Sequence, residues 1–360
     1  MILRIKSQFI EIFNITLKSN KRSMGSQITS KLVFQNHGPP ASVVKLVDEP
    51  ITPLRPDEVL VKMLAAPINP ADINTIEGVY PSELKLPAVP GFEGVGKVVN
   101  VGDNIKELKP NDHVVPLKET LGTWRTYAKF PGHLLLKVPK DLGIVQAATL
   151  IINPCTAYRM LKDFANLKPG DVIIQNGANS AVGQNVIQIA KRMGLKTVNV
   201  VRDRPEIVDL KCTLKNLGAH TVLTEEEVKK TDIFKKSLPK PKLALNCVGG
   251  QNALEILKTL QEGCTMVTYG GMSRKPVIAP TSALIFKDVH VKGFWVTSWN
   301  KQMFKSKKWL QMYNDLINMM LKKELKVPSH NFIHFKGYKE ALEKAVDSKG
   351  YQKKFILNFD

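Results

Sequence analysis

The sequence predicts an α/β protein of two domains, a β-barrel-like domain followed by a doubly wound parallel sheet. Three observations carry this. A length of 360 residues accommodates two domains of about 100–200 residues, each able to bury its own core. From about Gln27 to Asp141 the chain is a series of short β-rich segments punctuated by Pro and Gly. Beyond that point strand and helix patterns alternate, which is the mark of a parallel sheet with crossover helices.

Residues 1–26 read as an added leader. They carry Arg4, Lys6, Lys18, Lys21 and Arg22 against the single acid Glu11, with Ile2, Leu3, Ile5, Phe9, Ile10, Ile12, Phe13, Ile15 and Leu17 between them. A basic, amphipathic, acid-poor leader is the pattern of a mitochondrial transit peptide. Translation from Met24 would give a shorter form that stays in the cytosol. Residues 27–148 form the first domain, through "KLVFQNHGPP", "VVKLVDEP" and "DEVLVKMLAAPIN", then "GVGKVVNVGDNIKELKPNDHVVP" as strand, Gly-Asp turn and strand. Residues 149–324 form the second. "IVQAATLIINPCTAYRMLKDFANL" has apolar residues at helical spacing, and strands are expected at "LALNCV", "GCTMVTYGG" and "VHVKGFWV" with helix "NALEILKTLQ" among them. Residues 325–360 end in a helix and a strand that return to the first domain.

Composition narrows the function classes. The four cysteines, Cys155, Cys212, Cys247 and Cys264, form no CxxC pair, which argues against a disulfide scaffold or zinc ribbon and for a reducing compartment. No stretch approaches 18 apolar residues, so no membrane span is expected. The net charge of +20 admits nucleic acid, a removable leader or an acidic substrate or partner. The Lys/Arg residues are scattered without a nucleic-acid motif, and a solvated basic surface is the plainest account.

The stretch "DVIIQNGANSAVGQNVIQIA" is the most informative. A strand over Val172–Gln175 enters a loop from Gly177 through Asn179, Ser180, Ala181 and Val182 to Gly183, and a helix follows. Gly177 suits the tight turn, a small residue at 181 lets the backbone approach a pyrophosphate, and Gly183 lets helix pack on sheet. The spacing departs from strict GxGxxG, so the strand-before, helix-after context carries the assignment. The next strand ends some 24 residues past Gly177, where an NAD enzyme places an acid on the ribose hydroxyl. Here stand Arg202, Asp203 and Arg204. Guanidinium groups there would clamp a 2′-phosphate, so the expected cofactor is NADPH.

Zinc chemistry is not expected. Zinc-dependent medium-chain alcohol dehydrogenases place a ligating Cys after an early strand and a His in a GHE motif. The comparable positions here are Asn69 and Phe92, and Glu93 alone cannot hold a four-coordinate ion. The seven histidines have no partners in local sequence, so no Ser-His-Asp constellation can be built. Tyr80 offers a phenolic proton in a loop, although spacing alone would make it packing or surface. Trp124 by default is a core residue.

From about Ser30 onward the chain resembles the mitochondrial trans-2-enoyl-CoA/enoyl-[acyl-carrier-protein] reductases. These form part of the zinc-independent, quinone-reductase-like branch of the medium-chain dehydrogenase/reductase superfamily. The strings "INPADIN", "IEGVYPS", "GTWRTYA", "INPCTAY", "QNGANSAVGQ", "NVVRDRP", "LALNCVGG", "TMVTYGGM", "IFKDVHVKGFWV" and "KKFIL" carry it, in order, across almost the whole chain.

The resemblance implies a GroES-like catalytic domain and a Rossmann domain with the cleft between them. It implies reduction of a trans-2-enoyl thioester in mitochondrial fatty acid synthesis, with hydride to Cβ and a proton from Tyr80 to Cα. It implies cofactor contacts at Asn153, Asn179, Ser180, Ala181, Val182, Arg202, Asp203, Arg204, Tyr269, Gly270, Gly271, Met272, Phe294, Trp295, Val296 and Lys354, and Trp124 as a cleft wall. Ala181 stands where the family's loop often has Gly, a small change. The implied partners are coenzyme A or acyl carrier protein thioesters, both anionic, and a second copy of the chain in a homodimer, pairing through "VHVKGFWV". The competing readings are an NADPH:quinone or other enone reductase on the same fold, and a nucleic-acid or transcription-factor binding protein keeping a dehydrogenase fold.

Overall fold

The structure is a computed structural model and describes residues 27–346 and 353–360. The leader expected over 1–26 lies outside the described residues. Strands Ile28–Phe34 and Val44–Pro50 pair as an antiparallel ribbon, and behind it lies a seven-stranded sheet. In space that sheet runs His330–His334, Lys354–Asn358, Glu58–Pro67, Val95–Val101, His113–Pro116 and Leu135–Val138, with Tyr127–Pro131 also pairing to Glu58–Pro67. Glu58–Pro67 is therefore central, and it is buried along nearly its whole length. The C-terminal strand Lys354–Asn358 pairs antiparallel with Ala65–Pro67 of that central strand, so the chain end is part of the first domain's sheet.

The second sheet has six parallel strands in the order Thr221–Thr224, Lys196–Val201, Val172–Gln175, Leu243–Asn246, Thr265–Thr268, His290–Gly293. Val172–Gln175 and Leu243–Asn246 are wholly buried, because crossover helices cover both faces of a parallel sheet. Helices Ala181–Arg192 and Asn153–Asp163 pack on it. One apolar core joins the domains: Ala65, Val95 and Val115 of the first pack with Leu150, Ile173, Val186 and Tyr313 of the second, and with Ile356 of the returning strand.

The segment "IVQAATLIINPCTAYRML", whose apolar residues have helical spacing, folds as two helices, Ile144–Ala148 and Asn153–Asp163. Pro154 is the cause. A proline fits the first turn of a helix but disfavours helical geometry at the residue before it and cannot accept the preceding helix's continuation. The break delivers Ile151, Ile152 and Asn153 to the domain junction. Strand His330–His334, which pairs parallel with Lys354–Asn358, was not expected from the sequence.

Candidate active site

The residues expected to hold the cofactor collect at one edge of the parallel sheet, where its strands end. Gly177–Ser180 follows Val172–Gln175, Arg202–Arg204 follows Lys196–Val201, Tyr269–Met272 follows Thr265–Thr268, and Phe294–Val296 follows His290–Gly293. Carboxyl ends of strands in an open α/β sheet are where such folds bind ligands. Gly177 turns the chain with φ +56°, and a Cβ there would lie 2.5 Å from Cys247 Sγ. A Cβ on Gly183 would lie 2.6 Å from the Ala178 carbonyl oxygen, so only glycine lets helix and loop approach this closely. Ser180 caps the helix, its Oγ accepting from Gly183 N at 3.1 Å. The N–H groups of Ala181 and Val182 open the helix and have no intrahelical partner, which is the arrangement that receives a phosphate. A dinucleotide pyrophosphate fits this cradle.

Polar side chains brace the loop from beneath. Gln175 Nε2 donates to Gly183 O at 3.0 Å and to Asn199 Oδ1 at 2.8 Å. Asn176 Nδ2 donates to Asn246 Oδ1 at 2.7 Å, and Asn246 Nδ2 to Thr268 Oγ1 at 3.0 Å. These buried amides bond to one another across neighbouring strands, Gln175 Oε1 alone among their atoms being buried without a partner among the described residues, so the strand ends keep a fixed stagger. Tyr269 lies with its hydroxyl beside Ser180 and Cys247, and burial pushes its ionisation well above the ordinary tyrosine range. Arg202 is exposed and Arg204 half-buried, with Arg204 Nε donating to Arg202 O at 3.3 Å and Asp203 Oδ1 accepting from Arg204 N at 2.9 Å. Met272 is largely exposed and Phe294 packs edge-on against Phe164 at 5.7 Å between ring centroids.

Tyr80 stands across the cleft on the first domain, just beyond helix Pro70–Glu77 and its left-handed Gly78 cap. Its hydroxyl oxygen accepts a hydrogen bond from Trp295 Nε1 at 2.7 Å. Indole N–H can only donate, so the Tyr80 proton stays available. The ring meets Phe92 and Trp295 edge-on, at 5.8 and 6.0 Å between centroids. Burial raises the Tyr80 pKa, the Trp295 hydrogen bond pulls it down, and the Asp72 and Glu119 charges raise it again.

Phe92 and Val296 also line a cavity of about 240 Å³ between the domains, with Leu117, Ile151, Phe304 and Trp309 among its apolar walls. Tyr80, whose ring meets Phe92, thus stands at the rim of this cavity. Ion pairs tie the two domains near this mouth: Lys301 to Glu83 at 2.8 Å and to Glu119 at 3.7 Å, and Arg274 to Glu77 at 3.4 Å.

One expected site residue sits elsewhere than the resemblance implied. Trp124 is not a cleft wall. It is wholly buried in the first domain's core with Leu32, Phe34 and Phe130, and its Nε1 donates to Pro67 O at 3.4 Å. An aromatic of that size is drawn into the largest apolar interior available, and an indole N–H needs one acceptor there. Trp295 turns its indole onto Tyr80 across the cleft, so it meets the proton-donor candidate directly.

Sequence reasoning missed a buried polar cluster at the junction. Asn69 Nδ2 donates to Glu93 Oε1 at 2.8 Å, and Glu93 Oε2 accepts from Ile152 N at 3.3 Å. Asp72 accepts from Asn69 N at 2.8 Å and from Phe92 N at 2.9 Å. Asn153 Nδ2 and Lys354 Nζ both donate to Asn69 Oδ1. The positions where a catalytic zinc would find Cys and His hold Asn69 and Phe92, the carboxylates are committed to N–H donors, and the neighbouring cation is an ammonium. This donor set does not fit zinc. The only available signal was "INPADIN" and "GFEG" as acid-bearing loops, and nothing in their spacing joins them to Lys354, 285 residues from Asn69.

Residues 55–140 match the model of the alcohol dehydrogenase GroES-like domain, and residues 181–312 that of the zinc-binding dehydrogenase family. The mouse protein named enoyl-[acyl-carrier-protein] reductase, mitochondrial, is 51% identical over 317 residues, covering 88% of this chain and 85% of its own. An Arabidopsis thaliana protein of the same name is 44% identical over 330 residues, covering 91% and 88%. The mitochondrial 2-enoyl thioester reductase Etr1p/Etr2p heterodimer from Candida tropicalis is 34% identical with a TM-score of 0.86, covering 92% of this chain and 100% of that one. An Etr1p complex with NADP and crotonyl-CoA superposes at TM-score 0.85, again 34% identical with the same coverage. The GroES-like and Rossmann halves, the glycine loop and identity of this order over most of the chain agree: the chain belongs to the enoyl-[acyl-carrier-protein] reductase family.

Proposed function

We propose that this protein reduces trans-2-enoyl thioesters of coenzyme A or acyl carrier protein to saturated acyl thioesters, with NADPH as reductant and Tyr80 as proton donor. The observation that carries it is Tyr80 at the rim of the interdomain cavity, its oxygen held by Trp295 and its proton free to leave. The Gly177–Gly183 loop, with Asn179, Ser180, Ala181 and Val182, would cradle the pyrophosphate, and Arg202 and Arg204 the 2′-phosphate. Asn153, Tyr269–Met272, Phe294–Val296 and Lys354 are the remaining cofactor contacts of this reading. Bound NADPH supplies hydride to Cβ of the enoyl group. The apolar cavity walls hold the acyl chain and exclude water from the reacting carbons. Charge then develops on the thioester oxygen, and Tyr80 delivers a proton to Cα as general acid, closing the C–H balance with one hydride and one proton.

The test is NADPH oxidation at 340 nm with trans-2-hexenoyl-CoA, repeated with NADH and with a simple quinone. Rapid NADPH-selective turnover of the enoyl thioester is the expected result. Turnover of quinone without enoyl turnover would move the protein to the enone-reductase reading, and silence with all substrates would favour a binding role. Replacing Arg202 and Arg204 together with Ala should raise the KM for NADPH about 10- to 100-fold, as expected for lost charged hydrogen bonds. The KM for NADH should hardly move.

The relatives' mitochondrial names and the basic 1–26 leader support residence in the mitochondrial matrix. The exposed Lys305, Lys307 and Lys308 beside the cavity helix suit an acidic carrier protein. Added salt should therefore raise the KM for carrier-bound substrate more than for a short CoA ester. Among the described residues the edge strand His290–Gly293 has no partner on its outer side and is exposed throughout, and Ile285 and Phe286 beside it are 66% and 77% exposed. An open strand edge is a template for a second chain, which supports a homodimer. Ile285→Glu with Phe286→Glu should convert it to monomer in sedimentation velocity.

A further inference from the structure

The proton donor and the strand-end loops leave the buried cluster at the domain junction without a task. Asn69, Asp72 and Glu93 are at most 3% exposed. Their acceptor oxygens are met by backbone N–H groups of Asn69, Phe92 and Ile152 and by side-chain donors of Asn69, Asn153 and Lys354. Burial drives both carboxyls upward, Asp72 to about 7, while the Lys354 charge opposes the rise; burial lowers Lys354 and the two carboxylates oppose that. Stability alone accounts poorly for such a cluster, since well-packed apolar residues commonly replace buried ion groups at no loss. An ammonium carries three donors, and Lys354 uses one of them, to Asn69 Oδ1, among the described residues. An ammonium held by Asn69 through one donor has the valence to serve a further acceptor.

The location says which acceptor. Asp72 is close enough to Tyr80 to raise its pKa, and Asn153 shares the Asn69 oxygen with Lys354. Hydride must be delivered beside Tyr80, whereas the glycine loop and Arg202/Arg204 occupy the phosphate end. We propose that Asn69, Asp72 and Glu93 are positioning residues that hold the Lys354 ammonium as a fixed donor to the nicotinamide half of the cofactor. This rests on the NADPH reading above and extends it to three residues that touch no cofactor themselves. Glu93 and Asp72 set where the ammonium stands, and Asn69 passes their hold to it.

The test compares Lys354→Met, Glu93→Gln and the double variant by calorimetric binding of NADPH and of adenosine 2′,5′-bisphosphate, which lacks nicotinamide, alongside thermal midpoints. Lys354→Met should weaken NADPH about 10- to 100-fold, leave the bisphosphate unchanged, and lower the midpoint because two buried carboxyls lose their counter-charge. Adding Glu93→Gln should recover much of the midpoint and none of the NADPH affinity. Glu93→Gln alone, with lysine intact, should still weaken NADPH several-fold. Recovery of NADPH affinity together with the midpoint, or a Glu93→Gln protein that binds NADPH like wild type, would overturn the positioning role. Wild-type protein that binds neither ligand would instead overturn the NADPH reading itself.

Discussion

Tyr80→Phe is expected to lower kcat for trans-2-hexenoyl-CoA reduction by about 10²–10⁴-fold, the usual contribution of a positioned general acid. The substitution removes only the hydroxyl. The ring contacts with Phe92 and Trp295 remain, so NADPH affinity and the thermal midpoint should stay near wild type. The raised Tyr80 pKa has a signed consequence. A tyrosine shifted upward keeps its proton through neutral pH, so the alkaline fall in kcat assigned to this group belongs above pH 10 and should vanish in Tyr80→Phe. Trp295→Phe removes the hydrogen bond that favours the ionised form. That limb should move further up and turnover should slow by about tenfold, the loss of one charge-stabilising hydrogen bond. Full turnover by Tyr80→Phe with NADPH still bound would remove Tyr80 from the chemistry.

Trp124→Ala is the largest expected stability effect. The side chain is wholly buried, its indole N–H meets Pro67 O, and Gly91 lies against it so closely that a Cβ there would sit 2.4 Å from the ring. Deleting a buried tryptophan leaves a cavity and costs about 3–5 kcal/mol, lowering the first domain's thermal midpoint by roughly 10 °C. At temperatures where the variant is folded, the KM for the acyl substrate should be little changed. A variant with a normal midpoint and a much higher substrate KM would return Trp124 to the cleft wall.

Much of the cofactor half was legible in the sequence because its physics is local. A strand, a turn needing Gly177, a capped helix and two arginines at the next strand end are contiguous patterns. Val172–Gln175 therefore lies where periodicity places it. The strand His330–His334 was not legible. It is an edge strand with mixed exposure, so no alternation marks it, and only pairing with the distant Lys354–Asn358 makes it a strand. Apolar spacing marks helix on both sides of Ile151 and Ile152 but does not mark the break ahead of Pro154 between Ile144–Ala148 and Asn153–Asp163.

The candidate site divides the same way. Sequence alone determined the order of β-rich and alternating halves and the succession of strand, glycine loop and capped helix from Val172 to Arg192. Spacing left Tyr80 a loop tyrosine, and resemblance made it a proton donor. Only the tertiary structure decided that Trp295 reaches Tyr80 from the other domain, that Trp124 keeps its default place in the core and is not the cleft wall the resemblance implied, and that Asn69, Asp72, Glu93 and Lys354 form one cluster. The reason is physical. Turns, caps and strand patterns are set by neighbours along the chain, whereas hydrogen bonds and charge pairing between residues hundreds of positions apart exist only after the two sheets have packed.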